Sequence, residues 1–290
     1  MAKVTNSFTS YDATSNREDL SNVIYNIDPT ATPFMSAIGS KNITNVVFDW
    51  QTENLPTPSG TGQLEGFELS RATSTATTRE SNVAQISSRD ATVSGSQDAS
   101  DPAGKKQELA HQMALMSKAL KRDMEVALCQ NTAKNAGNAT TARQTRSFEA
   151  WITTNKSRGT GGADGSASAA ATDATTGNRR ALTEALLKGV LQSMFTNGAE
   201  PKMAIAGPVN KGVISGFTGR ANTRQNVSAD TVSASISVYA SDFGELQIVP
   251  SNRSRDRSLL LVDPEYAKVA YLRNFQTMDI AKIGDADTKM

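Results

Sequence analysis

The chain has 290 residues, and its 30 lysines and arginines nearly balance its 29 aspartates and glutamates, which leaves a net charge of +1. This balance excludes a strong global attraction to nucleic acid. Hydrophobic residues make up 38% of the chain and aromatic residues 6%, a low content for a protein that buries all its apolar surface within itself. The sequence has no apolar run of about 18 residues, as a membrane span requires, and no N-terminal signal peptide. We therefore expect a soluble protein without a membrane partner.

The N-terminal residues predict an extended arm with few apolar anchors. Residues 1–16 are polar and rich in threonine and serine. Residues 17–27 predict a short helix, because Leu20, Ile24 and two other aliphatic residues share one helix face. A second short apolar piece follows at 34–38. So few anchors indicate that the arm needs a partner surface to become ordered.

The next segment predicts an extended hairpin. Residues 43–55 and 79–93 contain the β-branched and aromatic residues typical of strands. The tip between them, including residues 56–66, is rich in proline and glycine. A lone two-stranded ribbon is marginally stable in water, so we expect something else to cover this hairpin.

The segment from Asp101 to Asn135 predicts one long helix, here called the spine, around which the chain is organised. Asp101 is a suitable N-cap and Pro102 suits the first helical position. The apolar residues recur at steps of four and three, which places them on one helix face. They are Leu109, Met113, Met116, Leu120, Met124 and Ala127. The single cysteine, Cys129, excludes an internal disulfide and is expected to be a small buried side chain.

The region after the spine begins with a small apolar anchor at 148–152. Residues 156–178 are rich in glycine, alanine, serine and threonine, a composition that predicts a flexible loop or linker. The glycine spacing matches no nucleotide-binding fingerprint. This segment is therefore not expected to bind a phosphate group.

A second region starts near residue 179. Its first helix carries Leu182, Leu186, Val190 and Met194 at four-residue steps, and Asn197-Gly198 predicts its C-terminal cap. Residues 202–206 predict a short buried strand, and Pro208 opens a short helix. The strict alternation over 231–240, with Val238 on the apolar face, is the clearest strand pattern in the chain. Further strands are predicted at 245–249, 258–262, 267–272 and 277–282, and their short connections favour antiparallel pairing.

Residues for catalysis are sparse. His111 is the only histidine, so the usual zinc patterns and a Ser-His-Asp triad lack the partners they need. Asp285 and Asp287 form a close carboxylate pair, in a polar tail. We expect no catalytic residue, no metal and no cofactor.

Two groups of arginines could contact phosphate groups or form salt bridges between subunits. Arg253, Arg255 and Arg257 lie in one predicted turn, and Arg179 and Arg180 precede the helix of the second region. Phosphate contact of this kind is independent of base sequence. No aromatic residues alternate with these arginines, so stacking on bases is not predicted.

Four stretches, in this order along the chain, resemble one family. They are DLSNVIYNIDPTATPFMSAIG at 19–39, FEAWITTN at 148–155, TEALLKGVLQSMFTNGAEPKMAIAGPVNKGVISGF at 183–217 and LLLVDPEYAKVAYLRNFQTMDIAK at 259–282. The series resembles the major capsid proteins of tailed bacteriophages. The resemblance implies the α+β HK97-like capsid fold, with an N-arm, an extended E-loop hairpin, a P-domain that holds the spine and an antiparallel sheet, and an A-domain.

The resemblance also implies a division of the chain. The expected parts are the N-arm at 1–45, the E-loop at 46–95, the P-domain with the spine at 96–155, a flexible loop at 156–178, the A-domain at 179–242, and the closing strands of the A- and P-domains with the C-terminal tail at 243–290.

The function implied is that of a virion subunit which self-assembles into hexamers and pentamers. These close an icosahedral shell around double-stranded DNA, and assembly takes place in the host cytoplasm. The expected partners are further copies of the chain, a separate scaffolding protein, a portal, a decoration protein and packaged DNA held by non-specific contacts.

The residues expected to contact other subunits are the large apolar side chains of the hairpin and the arm. They are Phe48, Trp50, Leu64, Phe67, Leu69, Leu20, Ile24 and Phe34. No lysine occurs between Lys41 and Lys105. We therefore predict that the hairpin forms no lysine–asparagine crosslink of the kind used by some shells of this type.

Three alternatives stay open at this stage. An encapsulin-like compartment would have the same fold but an enzyme cargo, and co-purified DNA or cargo would distinguish the two. A tail or decoration component is a second alternative, although a tail-tube protein should be mainly β and the long spine argues against it. An enzyme with an unrecognised site is the third.

Overall fold

The structure, a computed structural model, describes Ser7, Ile24 and residues 29–68, 73–217 and 237–290. The predicted helix at 17–27 therefore lies outside the described residues, apart from Ile24. The chain divides into two compact units. One contains residues 1–30, 89–119 and 277–290, and the other contains residues 31–88 and 120–276.

Six α-helices lie in the described ranges. They are α1 Pro33–Ala37, α2 Gly95–Asp98, α3 Glu108–Cys129, α4 Phe148–Trp151, α5 Glu184–Thr196 and α6 Pro208–Ser215. The strands are β1 Gly39–Asn42, β2 Val47–Thr52, β3 Thr78–Val83, β4 Ala91–Ser94, β5 Met203–Ala206, β6 Val238–Ser241, β7 Gly244–Pro250, β8 Leu259–Val262, β9 Lys268–Tyr271, β10 Asp279–Ile283 and β11 Ala286–Lys289. Among the described helices, none is long and apolar enough to cross a membrane.

The predicted spine is confirmed as α3, the longest helix in the described ranges, but α3 begins later than Asp101 and ends at Cys129 instead of near Asn135. Gly104 has a φ of +78°, a left-handed conformation that interrupts a helix starting at Pro102. The capping carboxylate is that of Asp98 instead of Asp101, because the Leu109 N–H donates to Asp98 Oδ1 at 3.2 Å. The 22 residues of α3 give a helix of about 33 Å.

The hairpin is confirmed over its base. β2 and β3 pair antiparallel, with Val47 opposite Val83 and Thr52 opposite Thr78. The second strand ends at Val83, whereas the sequence pattern predicted it to continue to Val93. Residues 91–94 instead form β4, which pairs with β11, and β11 is a strand that the polar tail did not reveal.

The unit that contains residues 89–119 and 277–290 is built around a three-stranded sheet in the order β10-β11-β4. Both pairings are antiparallel. Asp285, in the turn between β10 and β11, accepts a hydrogen bond from the Gly95 N–H through its backbone carbonyl and one from the Ser96 N–H through its carboxylate. The carboxylate pair noted in the sequence therefore serves a turn, and Asp287 pairs with Lys282 at 3.1 Å.

The main sheet of the other unit has the order β6-β7-β5-β8. β5 is parallel to β7 and antiparallel to β8, and β9 pairs in parallel with β1. The expected antiparallel pairing of the later strands is therefore wrong for β7 and β8, which β5 separates, and for β9. Alternate residues of β5 point to opposite faces. Met203 and Ile205 join one core and Ala204 and Ala206 join the other.

Helices α5 and α6 cover one face of this sheet. Leu187, Leu191 and Ile214 are all at most 3% exposed and pack with the small side chains of β5. The opposite face packs against Phe34, Cys129 and neighbouring apolar residues. The alanines of β5 let the helices approach closely, which fixes the position of α5 and α6.

In the predicted strand at 231–240, the residues that face the core are not the ones expected. Residues 231–236 lie outside the described residues, and β6 begins at Val238. Tyr239 is 8% exposed while Val238 is 50% exposed. Pairing with β7 places Tyr239 opposite Leu246, and its hydroxyl donates to Glu184 Oε1 at 3.1 Å, so a register change of one residue reverses the face.

The segment at 156–178, predicted as a flexible loop or linker, has tertiary contacts. Ala163 and Thr172 form a β-bridge. The Ala171 N–H donates to Asn131 Oδ1 at 2.9 Å. A Cβ on Gly165 would lie 2.4 Å from the Ala150 carbonyl oxygen, so only glycine fits this close approach.

Candidate subunit-contact surfaces

The hairpin tip carries large apolar side chains that the chain itself does not cover. Leu55 is 93% exposed, Leu64 is 84% exposed and Phe67 is 50% exposed. The described tip residues, 53–68 and 73–77, form no helix or strand. Exposure of this kind, close together in one segment, marks an interaction surface.

A tight turn holds Leu64 and Phe67 together at the tip. The Phe67 N–H donates to the Leu64 carbonyl at 3.1 Å, and Gly66 has a φ of +79°. This is the geometry of a type II turn, which requires a residue with positive φ at its third position. The two side chains therefore flank one turn, and Leu55 is a third exposed residue that the sequence analysis missed.

The base of the hairpin is anchored within the chain. Trp50, 39% exposed, packs against Trp151 of α4 with ring centroids 5.0 Å apart and the rings tilted by 50°, and the Phe48 ring centroid lies 6.0 Å from that of Trp50. The Arg146 guanidinium lies 4.0 Å from the Trp151 ring, a cation–π geometry. Phe48 and Trp50 therefore contact residues of the same chain, and of the two only Trp50 keeps a substantial exposed area.

Arg146, which packs on the Trp151 ring, is held in place within the chain. It is 6% exposed, and its Nη2 donates to the Ala150 carbonyl at 2.6 Å. Burial lowers the pKa of Arg146, an effect that the charge of Glu80 partly offsets. Sequence analysis did not single out Arg146, because its partners are far away in the chain.

The root of the arm is also fixed within the chain. Phe34 is 2% exposed and meets Phe148 edge-on, with centroids 5.4 Å apart. The prediction that Phe34 contacts another subunit is therefore wrong for this conformation, because its side chain lies in the core. Ile24 is 50% exposed, and Leu20 and Leu69 lie outside the described residues.

A buried carboxylate holds this root in place. Glu125 of α3 has no exposed surface and accepts hydrogen bonds from the N–H groups of Phe34 at 2.8 Å and Met35 at 2.9 Å. It thereby caps α1, whose own Thr32 provides no side-chain cap. Burial raises the pKa of Glu125, and the two backbone hydrogen bonds reduce that increase.

The arginine turn is held by carboxylates of the same chain. Arg255 Nη1 contacts both Glu149 oxygens at 3.0 Å, and its Nη2 contacts Asp173 at 2.6 Å. Arg257 also pairs with Asp173, at 3.0 Å. Burial opposes ionisation of Asp173, but the two guanidinium groups outweigh it and hold its pKa below the ordinary value. A phosphate group would have to displace these carboxylates from Arg255.

The two arginines before α5 remain closer to the surface. Arg180 donates to Ser157 Oγ at 2.7 Å and to the Arg158 carbonyl at 2.9 Å, and both Arg179 and Arg180 are exposed. Arg253 is half-buried, and its carbonyl accepts from Gln130 Nε2 at 3.4 Å. The structure thus brings Arg255 and Arg257 together at Asp173 and leaves Arg179 available to a partner.

Beside these arginines lies a groove of about 680 Å³. We call it the α5–α6 groove. Its lining includes the residues that the sequence analysis had noted at four-residue steps: Leu182, Leu186, Val190 and Met194. The face of α5 that packs on the sheet is instead the one carrying Leu187 and Leu191. Helix α6 contributes Val209, 61% exposed, and Val213, 37% exposed, to the groove.

Residues with potential chemistry are not clustered. No group of three histidine, cysteine or carboxylate side chains that could hold a metal occurs in the described ranges. Cys129 is 1% exposed, and burial followed by the charge of Glu125 raises the pKa of its thiol. A thiol in this state is a packing residue and not a nucleophile.

Comparison with known proteins places these surfaces in context. Residues 3–290 match the family model described as SU10 major capsid protein. The major capsid protein of Escherichia phage Phieco32 is 31% identical over 128 residues, which is 44% of this chain. The match spans 36% of that relative.

Solved structures of phage shells share the fold. A chain from Gordonia phage Cozz has a TM-score of 0.59 at 14% identity, with 99% of this chain and 90% of that chain covered. A chain from the capsid of a native GTA particle has a TM-score of 0.59 at 11% identity, with 97% and 90% covered. The capsid of Cyanophage P-SCSP1u gives 0.54 at 12% identity, with 99% and 90% covered.

These likenesses, at low identity, establish a shared α+β HK97-like fold, as the sequence predicted. The family model covers nearly the whole chain. The chain therefore belongs to the SU10 major capsid protein family, the major capsid proteins of tailed phages.

Proposed function

We propose that copies of this chain form hexamers and pentamers that close an icosahedral shell around double-stranded DNA. The observation that carries the proposal is the hairpin tip, where Leu55, Leu64 and Phe67 extend into solvent without a core of their own. A family of shell proteins supplies the partner that such a tip needs, which is another copy. Symmetric repetition makes many weak contacts into a stable particle.

The parts of the chain take the roles expected for this fold. Residues 1–45 act as the N-arm and 46–95 as the E-loop that lies over a neighbouring subunit. The P-domain comprises 96–155 with the closing strands of 243–290, and the A-domain comprises 179–242. Because β7 and β8 pair with β5, the segment from 243 onward also completes the A-domain sheet.

The contacts between subunits involve the exposed apolar side chains. Leu64, Phe67 and Leu55 provide the tip contact, with Trp50 at the margin of the hairpin base. Ile24, Leu20 and Leu69 extend the contact set along the arm and the tip, and Arg179 provides charge. The shell role requires no catalysis, so we assign no catalytic residue to this chain.

Further partners follow from the shell role. Assembly takes place in the host cytoplasm with a separate scaffolding protein and a portal, and a decoration protein binds outside. Packaged DNA contacts the interior without sequence preference, through phosphate groups and exposed basic side chains.

The experiment is to express the chain, alone and with its phage's scaffolding protein, and to examine gradient fractions by electron microscopy. Closed icosahedral particles or rings of five and six subunits are the expected result. A homogeneous monomer or dimer under both conditions would contradict the proposal. Particles that carry an enzyme cargo instead of DNA in infected cells would favour an encapsulin-like compartment.

A further inference from the structure

The α5–α6 groove has an apolar floor that the chain does not fill. Leu186, Val190 and Met194 line it from α5, while the buried stripe of α5 packs on the sheet. Val209 and Val213 line it from α6 and stay 61% and 37% exposed. A concave apolar surface bounded by polar residues is typical of a binding site.

The margin of the groove carries more basic than acidic side chains. Arg179 and Arg180 are exposed there, and Asp256 is an exposed carboxylate of the same lining. The other two carboxylates of the lining, Glu149 and Asp173, already accept hydrogen bonds from Arg255. Lys156 and Arg158 also line it but share Asp164 as a partner. The groove therefore suits an apolar ligand that carries negative charge.

The hairpin tip has the complementary composition. Residues 53–68 contain Glu53, Glu65 and Glu68 and no lysine or arginine. The turn presents Leu64 and Phe67 as an apolar pair, with two of these glutamates beside them. Apolar surface and charge on the tip thus match the floor and the margin of the groove.

The tip does not fill the groove of its own chain. Leu55 and Leu64 are 93% and 84% exposed, which a docked tip could not be. The hairpin base is instead fixed by the packing of Trp50 against Trp151. The tip that fits the groove is therefore that of a second copy.

We infer that the α5–α6 groove of one subunit receives the Leu64–Phe67 turn of a second copy. This inference rests on the proposed function, because it specifies where the tip binds in the shell. A tip-to-groove contact uses different surfaces on the two copies, and such head-to-tail contacts generate closed rings when the rotation closes. The charges fix orientation and speed encounter more than they add affinity.

The first test is crosslinking in assembled particles. Leu64→Cys combined with Val213→Cys, treated with a short bismaleimide, should give a ladder of covalent oligomers on denaturing gels. Leu64→Cys with Tyr266→Cys is the matched control, because Tyr266 is 86% exposed but does not line the groove. Cys129 is buried and should not react. Particles that give no ladder, or the same ladder in both pairs, would overturn the inference.

The second test reverses charge. Arg179→Glu should reduce the particle yield about tenfold, the effect of about 1.4 kcal/mol at one contact, and added Glu65→Arg should restore it. Arg273→Glu, exposed outside the groove, should have no effect.

The outcomes distinguish failure of the tip-to-groove contact from failure of the proposed shell function. Wild-type particles together with full assembly by Arg179→Glu would overturn the groove contact and leave the shell function standing. Failure of the wild-type chain to assemble with its scaffolding protein would contradict the shell function itself. Rescue by Glu65→Arg would support the pairing of tip and groove directly.

Discussion

The hairpin tip and the β5 sheet differ in what completes them. β5 is buried along its whole length, and helices α5 and α6 cover one face of its sheet. The tip has no such cover, and its largest side chains are exposed. The sheet is therefore stabilised within one chain, whereas we propose that the tip is stabilised by contact with another copy. A shell protein needs both kinds of region, because its subunits must fold before they assemble.

The largest expected effect comes from removing the tip contact. Leu64→Ser with Phe67→Ser should abolish particle formation, because every subunit loses the same apolar contact and the losses multiply through the shell. The free energy of unfolding should change by less than about 0.5 kcal/mol, since both sites are exposed. Sedimentation measures assembly and chemical denaturation measures stability. Tyr266→Ser is the control. Normal particles from the double variant would refute the claim that the hairpin tip, unlike the sheet, depends on another copy.

The converse change is made in the sheet core. Leu246 is 1% exposed and packs with Leu187 and Ile248, so Leu246→Ala should lower the free energy of unfolding by about 3 kcal/mol. Denaturant titration of the unassembled subunit measures this loss. Leu55→Ala, at a site 93% exposed, should leave it unchanged. Equal effects at the two sites would show that the tip is part of the subunit core.

A smaller effect is expected at the root of the arm. Glu125→Ala leaves the N–H groups of Phe34 and Met35 without their acceptor, and unpaired buried donors cost about 2 kcal/mol in total. Hydrogen exchange should show faster exchange at these two amides, with little change in β5. The exposed Glu200→Ala provides the control. Unchanged protection at Phe34 would mean that Glu125 does not hold the arm root.

The smallest effect concerns the arginine turn and depends on pH. Asp173 has a lowered pKa in the fold, so its pairing stabilises the subunit above about pH 4, the ordinary value, and the contribution is lost as pH falls through the lowered pKa. Asp173→Asn should cost about 1 kcal/mol at neutral pH, a modest value because solvent reaches this side chain and screens the pair.

Stability of the Asp173→Asn variant and wild type should be compared from pH 7 to pH 3 by denaturant titration. The difference should be constant near neutrality and shrink at the acid end. A difference that grows as the pH falls would contradict the assigned direction.

Local patterns predicted the parts of this fold that short stretches determine. The left-handed Gly198 after α5 and the buried strand β5 both follow from neighbouring residues. The start of α3 did not, because Asp101 and Pro102 predict a helix from that point, while Gly104 has a positive φ that interrupts it. Helix interiors are easier to predict than helix ends.

Local sequence patterns could not predict which distant segments pair with each other. β11 is too polar to be recognised alone and becomes a strand through β4 and β10. Trp50 is a large aromatic residue of the kind found at interfaces, yet it packs against Trp151, about 100 residues away in the chain. The sequence did not predict the groove for the same reason. The four-residue spacing of Leu186 and Val190 is typical of a core-facing helix stripe, but in the structure Leu187 packs on the sheet and Leu186 and Val190 line the groove.

The central claim is that the hairpin tip is completed by another copy. A cryo-electron microscopy reconstruction of the assembled particle tests it most directly. The account predicts that residues 53–68 lie against a neighbouring subunit, with the side chains of Leu64 and Phe67 buried between the two copies. A closed shell in which these side chains extend into solvent would contradict it.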